Sequence, residues 1–196
     1  MSNPGTKEPE ASRHGQPAAP LCHCRASEGA APIGGPPRFL CDAHLGKLAR
    51  RLRLLGFDTL FAHDLSGADP GDEVLADIAG TEGRILLTRD RALFEDPAVP
   101  GACYMSQAPV EAQLRALIGA LRLHLHIAPF TRCTCCNGEL EAADPADLAG
   151  RVPEGVLRRQ ARFWRCRGCG RVYWEGSHYR RMRELVGALM GWRVPA

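Results

Sequence analysis

The sequence predicts an α/β fold, a three-layer α/β/α arrangement with a parallel sheet, followed by a small cysteine-rich module. Short apolar runs at 38–41, 57–62, 84–88 and 102–105 have the length and composition of buried strands. Segments whose apolar residues recur at helical spacing separate them, and strands that alternate with helices pair in parallel beneath two helical layers. Near Pro129 the alternation stops, and a segment rich in Cys, Arg and aromatic residues begins.

The elements follow in order. Residues 1–37 are dominated by Gly, Pro and Ala without apolar periodicity, so they bury too little surface to offset chain entropy and are expected to be a disordered tail. Cys22, His23 and Cys24 within it are expected to be incidental, since adjacent ligands without a second pair rarely close a tetrahedral site. The strand at 38–41 runs into Asp42 and a helix on which Leu45, Leu48, Leu52 and Leu55 form one stripe, leaving Lys47, Arg50, Arg51 and Arg53 on the other faces. Gly56 ends that helix. After the strand at 57–62, Asp72 opens a helix bearing Val74, Leu75, Ile78 and Ala79, and the strand at 84–88 is followed by Asp90 and a short helix. The strand at 102–105 leads to Pro109, expected as the first residue of a helix carried by Val110, Leu114, Leu117, Ile118 and Leu121. Residues 38–128 thus form one domain. In residues 129–196 the sequence predicts an inserted helix at 153–159, a strand at 172–174, and a last helix capped by Ser177 with Met182, Leu185, Val186 and Leu189 on one side.

Composition narrows the function classes. No apolar run of the 196 residues approaches the roughly 18 to 20 needed to span a bilayer, and the polar start lacks the apolar centre of a secretory signal, which points to a cytoplasmic protein without a membrane partner. Nine cysteines are an odd number in a chain of this length, and four of them form two Cys-x-x-Cys pairs, so metal binding in a reducing compartment fits better than a disulfide scaffold. The net charge is only +3, but eleven arginines between 151 and 196 face three glutamates of that segment. With the cluster on the first helix, this is the signature of a polyanion-binding face.

Cys133-Thr134-Cys135-Cys136 and Cys166-Arg167-Gly168-Cys169 each aim two thiolates at one point, as a tetrahedral zinc ion requires. Cys133, Cys136, Cys166 and Cys169 are therefore the expected ligands of one structural zinc in a ribbon module, with Cys135 an alternative to Cys133 or Cys136. Four thiolates fill the coordination shell, so this ion builds structure and leaves no position for a substrate.

Asp42 and Asp90 stand at or just past the carboxyl ends of predicted strands, and Asp72 opens the next helix. Carboxylates converging at that sheet edge repel one another, and a divalent cation relieves the repulsion. Oxygen donors select Mg²⁺ or Mn²⁺. Each aspartate is also suited to cap a helix, and the two roles are compatible. Asp64 and Glu73 are candidate auxiliary acids, whereas Asp58 reads as a turn residue.

Several segments carry a resemblance: Phe39-Leu40-Cys41-Asp42 with Leu45-Gly46-Lys47-Leu48-Ala49-Arg50, Gly56-Phe57-Asp58, Leu87-Thr88-Arg89-Asp90, Pro129-Phe130-Thr131-Arg132-Cys133, Phe163-Trp164-Arg165-Cys166, and Tyr173-Trp174-Glu175-Gly176-Ser177-His178-Tyr179. Over about 38–183 the chain resembles the RNase family named after the C-terminal domain of the mut-seven exonuclease. The resemblance implies a PIN-like nuclease domain fused to a zinc ribbon, with Asp42, Asp72 and Asp90 holding a divalent metal for RNA cleavage. Ala92 stands where related sequences can have another acid, and the ubiquitin-like domain of some relatives has no counterpart here. The function expected is a metal-dependent ribonuclease in which Lys47, Arg50 or Arg89 steadies the phosphate and Arg165, Arg167 and Arg171 of the ribbon bind RNA. The alternative is a non-catalytic RNA-binding protein with a silent cleft, in which Phe163, Trp164, Tyr173 and Trp174 stack on bases rather than forming the module's miniature core.

Overall fold

The computed structural model describes residues 20–26, 35–66 and 70–191. Its main sheet contains β1 (Cys22–Ala26), β2 (Phe39–Cys41), β3 (Thr59–Phe61), β4 (Ile85–Thr88) and β5 (Gly101–Met105), in the order β1-β5-β4-β2-β3. All pairings among β2 to β5 are parallel; β1 joins β5 antiparallel, with Cys24 opposite Cys103. The four expected strands are all present, and both faces of the sheet are apolar because successive residues point to opposite sides. Phe39, Cys41, Ile85, Leu87, Cys103 and Met105 enter one core, while Leu40, Leu86 and Ala102 enter the other.

Among the described residues, five α-helices belong to this part: α1 (Gly46–Leu54), α2 (Ala62–Ser66), α3 (Asp72–Glu82), α4 (Arg91–Glu95) and α5 (Val110–Ala120). A 3-10 turn, Ala43–Leu45, precedes α1. Leu48 and Leu52 of α1 with Leu114 and Leu117 of α5 cover the first face; Leu75 and Ala79 of α3 with Leu93 of α4 cover the second. Pro109 occupies the cap position of α5 rather than its first turn, and Gly71 rather than Asp72 caps α3.

The segment expected to be a disordered tail contributes β1. Its backbone satisfies the open side of β5, and Arg25 Nη2 donates to the carbonyls of Phe94 (2.9 Å), Asp96 (2.9 Å) and Val99 (3.1 Å). Cys24 and Cys103 form a disulfide, and Cys22 Sγ lies 3.0 Å from Cys24 Sγ, so these cysteines are not incidental. The remaining positions of that expected tail, apart from 20, 21 and 35–37, lie outside the described residues.

The cysteine module is a second, antiparallel sheet of β6 (Leu140–Ala143), β7 (Phe163–Cys166) and β8 (Val172–Trp174), with α6 (Glu154–Leu157) in the connection. Phe163 packs with Leu148, Val152 and Trp174 as a miniature core. The chain then forms α7 (Ser177–Met190), whose cap position is Gly176, with no side-chain bond from Ser177. Val186 is buried in the first core, and Met182, Leu185 and Leu189 pack against it. Although Pro129 marks the change of architecture, α7 returns to the α/β layers and ties the two parts together.

Polar contacts fix the junction. Arg53, expected on the exposed face of α1, is only 2% exposed. The cysteine module covers that face, and the guanidinium donates to Thr59 O (2.8 Å), Cys135 O (2.9 Å) and Asp64 Oδ2 (2.8 Å). Gly56 has φ +93°, and a Cβ there would stand 2.1 Å from Ala128 O. Only glycine permits the approach that lets Ala128 N and Phe130 N bond to the carbonyls of Leu55 and Leu54.

Candidate active site and metal centre

Numbered along the parallel strands, the order is β3-β2-β4-β5: the chain leaves β2 toward β3 and later returns to place β4 on the other side of β2. The boundary between β2 and β4 is the topological switch point, and ligands of open α/β sheets bind beyond the carboxyl ends of the strands there. Asp42 directly follows β2, and Asp90 lies two residues beyond β4. One hydroxyl joins them: Thr88 Oγ1 donates to Asp42 Oδ2 (2.8 Å) and accepts from Asp90 N (2.9 Å). Asp42 is buried at 8% exposure and also accepts from Ala43 N, whereas Asp90 is exposed. Asp90 Oδ1 caps α4, accepting from Ala92 N (2.6 Å) and Leu93 N (3.2 Å).

The remaining acids are distributed differently. Asp72 and Glu73 lie exposed in the first turn of α3. Asp42, Asp72 and Asp90 do not close into one group with oxygens within 4.8 Å of one another. Asp64 serves as counter-ion to the buried Arg53 at 2.8 Å. Asp58 is more than a turn residue: it accepts from Arg84 Nη1 (2.8 Å) and Asn137 Nδ2 (2.8 Å), with Arg132 Nη2 at 3.9 Å. Burial works against its ionisation, but these hydrogen bonds and cationic charges outweigh it and hold the carboxyl below its ordinary value.

Cations flank the switch point. Lys47 and Arg89, with His44, line one cleft beside α1. Arg50 lines a groove with Arg171 and His178, on the side of α1 that faces the cysteine module. Arg165 and Arg167 are less available than their spacing suggests. Antiparallel pairing puts Glu141 opposite Arg165, and Glu141 accepts from Arg165 (3.0 Å) and Arg167 (2.9 Å), bonds that lower its own pKa. Glu139, 3.7 Å from Arg167 Nη1, and Glu141 both lie upstream of the arginine-rich segment, so local counting misses them.

Among the described residues, Cys133, Cys136, Cys166 and Cys169 form a group whose sulfurs all lie within 4.8 Å of one another, and Cys135 stays outside it. Cys133 Sγ to Cys169 Sγ is 3.7 Å, and Cys136 Sγ to Cys166 Sγ is 3.4 Å. A Zn–S bond of about 2.3 Å corresponds to tetrahedral edges of about 3.8 Å, so the donor set suits a metal ion of that size. Burial raises the Cys136 thiol, but hydrogen bonds from Gly138 N–H and the neighbouring thiols outweigh it and leave its pKa at about 7. Burial pushes Cys169 up to about 12. A second group, Cys22, Cys24 and Cys103, surrounds the disulfide.

Sequence reasoning singled out Asp42 and Asp90, assigned Arg53 to the solvent-facing basic cluster, and gave no role to the side chains of Thr88, Arg84 and Asn137. For Thr88 the signal was present, a hydroxyl at a strand end two residues before an acid. Apart from the Arg84–Glu82 pair, the side chains of the other three act through partners 6 to 82 residues away and leave no local pattern.

Comparison with known proteins identifies the family. The profile described as the Mut7-C RNAse domain matches residues 37–186. The chain is 27% identical to the human protein named "Exonuclease mut-7 homolog", over 91% of this chain and 30% of that protein. It therefore spans about a third of the length of this relative. No solved structure matches. No helix among the described residues is long and apolar enough to cross a membrane. The matched span takes in the four parallel strands with Asp42 and Asp90, the four-cysteine group and most of α7: the chain belongs to the Mut7-C RNAse domain family.

Proposed function

We propose that this protein is a metal-dependent ribonuclease whose reaction takes place at the β2/β4 switch point, with Asp42 and Asp90 as the central acids and a structural zinc ion in the four-cysteine group. The observation that carries the reading is the Thr88 hydroxyl joining the two carboxylate-bearing positions at the crevice where α/β sheets bind ligands, in a chain of an RNase-domain family. Hard oxygen donors suit Mg²⁺ or Mn²⁺, and Mg²⁺ keeps several waters and needs only one or two carboxylates, so Asp42 and Asp90 suffice without Asp72 closing on them. Such an ion, when bound, would supply an activated water and offset the negative charge that develops on the phosphate oxygens.

The chain's own residues have defined tasks. Thr88 orients Asp42 and keeps its second oxygen from rotating. Asp90 is held in place by the helix it caps. Lys47 and Arg89 bind the phosphate entering from the α1 side, Arg50 and Arg171 extend that cationic surface, and Asp72 and Glu73 contribute negative potential from α3. RNA is the substrate suggested by the family and by this surface. The cysteine module holds Arg171 and the aromatic residues in fixed positions relative to α1.

The test separates the cap of α4 from catalysis. Asn caps a helix about as well as Asp, so Asp90→Asn should melt within about 0.5 kcal/mol of the parent. Its cleavage of mixed cellular RNA in Mn²⁺ should fall at least about 100-fold, the scale of losing several kcal/mol of transition-state stabilisation. Folded Asp90→Asn cutting at the parental rate would overturn the proposal; cleavage by the parent that persists in EDTA would remove the metal from it.

A further inference from the structure

The cysteine module does not pack both faces of its sheet. Register pairs Phe163 with Trp174 and Trp164 with Tyr173. Phe163 is buried in the miniature core with Trp174 packed against it, whereas Trp164 and Tyr173 leave the opposite face and stay partly exposed. That face looks into a cavity of about 350 Å³ whose other walls are Phe130 and α7, with Tyr179 ring to ring with Phe130 at 4.6 Å. Interiors close-pack, and a gap of this size among partly exposed aromatic side chains falls in the range of small-molecule sites.

Its rim is polar and cationic. Arg162 lies 5.9 Å above the Trp164 ring and pairs with Glu175 at 2.7 Å, and Arg132 lines the wall. The cavity continues toward the switch point. It shares Thr134 with the groove of Arg50, Arg171 and His178, and that groove shares Gly46 with the cleft of Lys47 and Arg89. A polyanion lying along Lys47, Arg50 and Arg171 is thereby led to an aromatic cavity. The chemistry matches single-stranded nucleic acid, whose phosphates follow cations while its bases stack on aromatic rings.

We propose that the cavity between the Trp164/Tyr173 face and α7 is a subsite for one unpaired nucleobase of the RNA strand, stacked against Trp164 and Tyr179. The site anchors the strand at a distance from Asp42 and Asp90. It favours unpaired segments over duplex, because a paired base cannot leave its stack without losing its partner. The inference rests on the reading of this protein as one that acts on RNA, and it concerns binding rather than cleavage.

The experiment uses the full chain in EDTA, so that no cutting intervenes, with a single-stranded oligoribonucleotide and an abasic oligomer of equal length as probes. Binding is read by tryptophan fluorescence and by competition. Trp164→Leu and Tyr179→Leu should each weaken the base-bearing oligomer about 10-fold, which is about 1.4 kcal/mol. Neither should change the affinity for the abasic oligomer. Melting curves establish that the variants are folded, and having one variant on β7 and the other on α7 guards against loss of either element. Equal affinity of both oligomers for the parent, or equal losses for both in the variants, would overturn the subsite while leaving metal-dependent cleavage standing. A parent that neither binds nor cuts RNA would remove the subsite and the ribonuclease reading together.

Discussion

Asp58→Asn probes the junction between the α/β layers and the cysteine module. The substitution keeps the shape of the side chain but removes the charge that accepts from Arg84 at 2.8 and 3.4 Å and faces Arg132 at 3.9 Å. Arg84 is 6% exposed and keeps one acid, Glu82, at 2.7 Å. A hydrogen bond to a charged group contributes about 1.5–3 kcal/mol, and partial exposure of Asp58 together with the surviving Glu82 pair argues for the middle of that range, about 2 kcal/mol. In a chain of this size that lowers the melting temperature by about 4–8 °C at pH 7. The pH dependence has a defined sign. The folded carboxyl titrates below its ordinary value, so its contribution is fully present above the unfolded pKa of about 3.9 and is lost as pH falls through the lower, folded value. Thermal melts of parent and variant from pH 7 to pH 3 should therefore show a gap that is constant down to about pH 4 and then narrows. A gap under about 1 °C at pH 7, or one that persists unchanged at pH 3, would refute the reasoning.

Arg50→Ala with Arg171→Ala should weaken binding of single-stranded RNA and flatten its salt dependence, whereas Arg165→Ala with Arg167→Ala, both already held by Glu141, should change the slope less; equal slopes for the two double variants in a salt titration would contradict this assignment. Metal analysis of protein purified without chelator should find about one zinc per chain and almost none in Cys166→Ser, whose melting temperature should fall for the whole chain because α7 is anchored in the first core. Retention of stoichiometric zinc by Cys166→Ser would remove the tetrathiolate site. Asp64→Asn should cost about 1–2 kcal/mol of stability by leaving Arg53 short of its counter-ion, yet cleavage by the folded variant should stay within about 3-fold of the parent; a loss on the scale of Asp90→Asn would restore Asp64 as an auxiliary acid of the site.

The residues that proved legible in the sequence act locally. Leu86 and Leu87 lie in a run too short and too apolar to be anything but a buried strand, and Asp90 announces its cap by standing before a helix. The paired knuckles are legible for the same reason, since Cys133 and Cys136 close on each other through one turn. Arg53 was misplaced because helical periodicity describes which side of α1 meets the sheet and says nothing about a module that returns 80 residues later to cover the opposite side. β1 was missed for a related reason. Its run Cys-His-Cys-Arg-Ala has little apolar content, and its order comes from the ladder with β5, the Cys24–Cys103 bond and the carbonyls that hold Arg25, all of them long-range. The helix at Ser177 could be read, but its destination could not: α7 carries a stripe that fits either core, and only the chain path through the module brings it back to the first.

The strand β1 has a practical consequence. The family match begins at residue 37, so this strand lies outside it, yet β1 is what covers the last parallel strand, β5. Without it, β5 presents a row of unpaired amides and carbonyls on a hydrophobic strand, the kind of border that recruits extended segments of other molecules. A chain cut to the matched span would keep Asp42, Asp90 and all four clustered cysteines. It would also acquire an adhesive border, created by the loss of a selvedge five residues wide and not by anything in the parallel layers themselves.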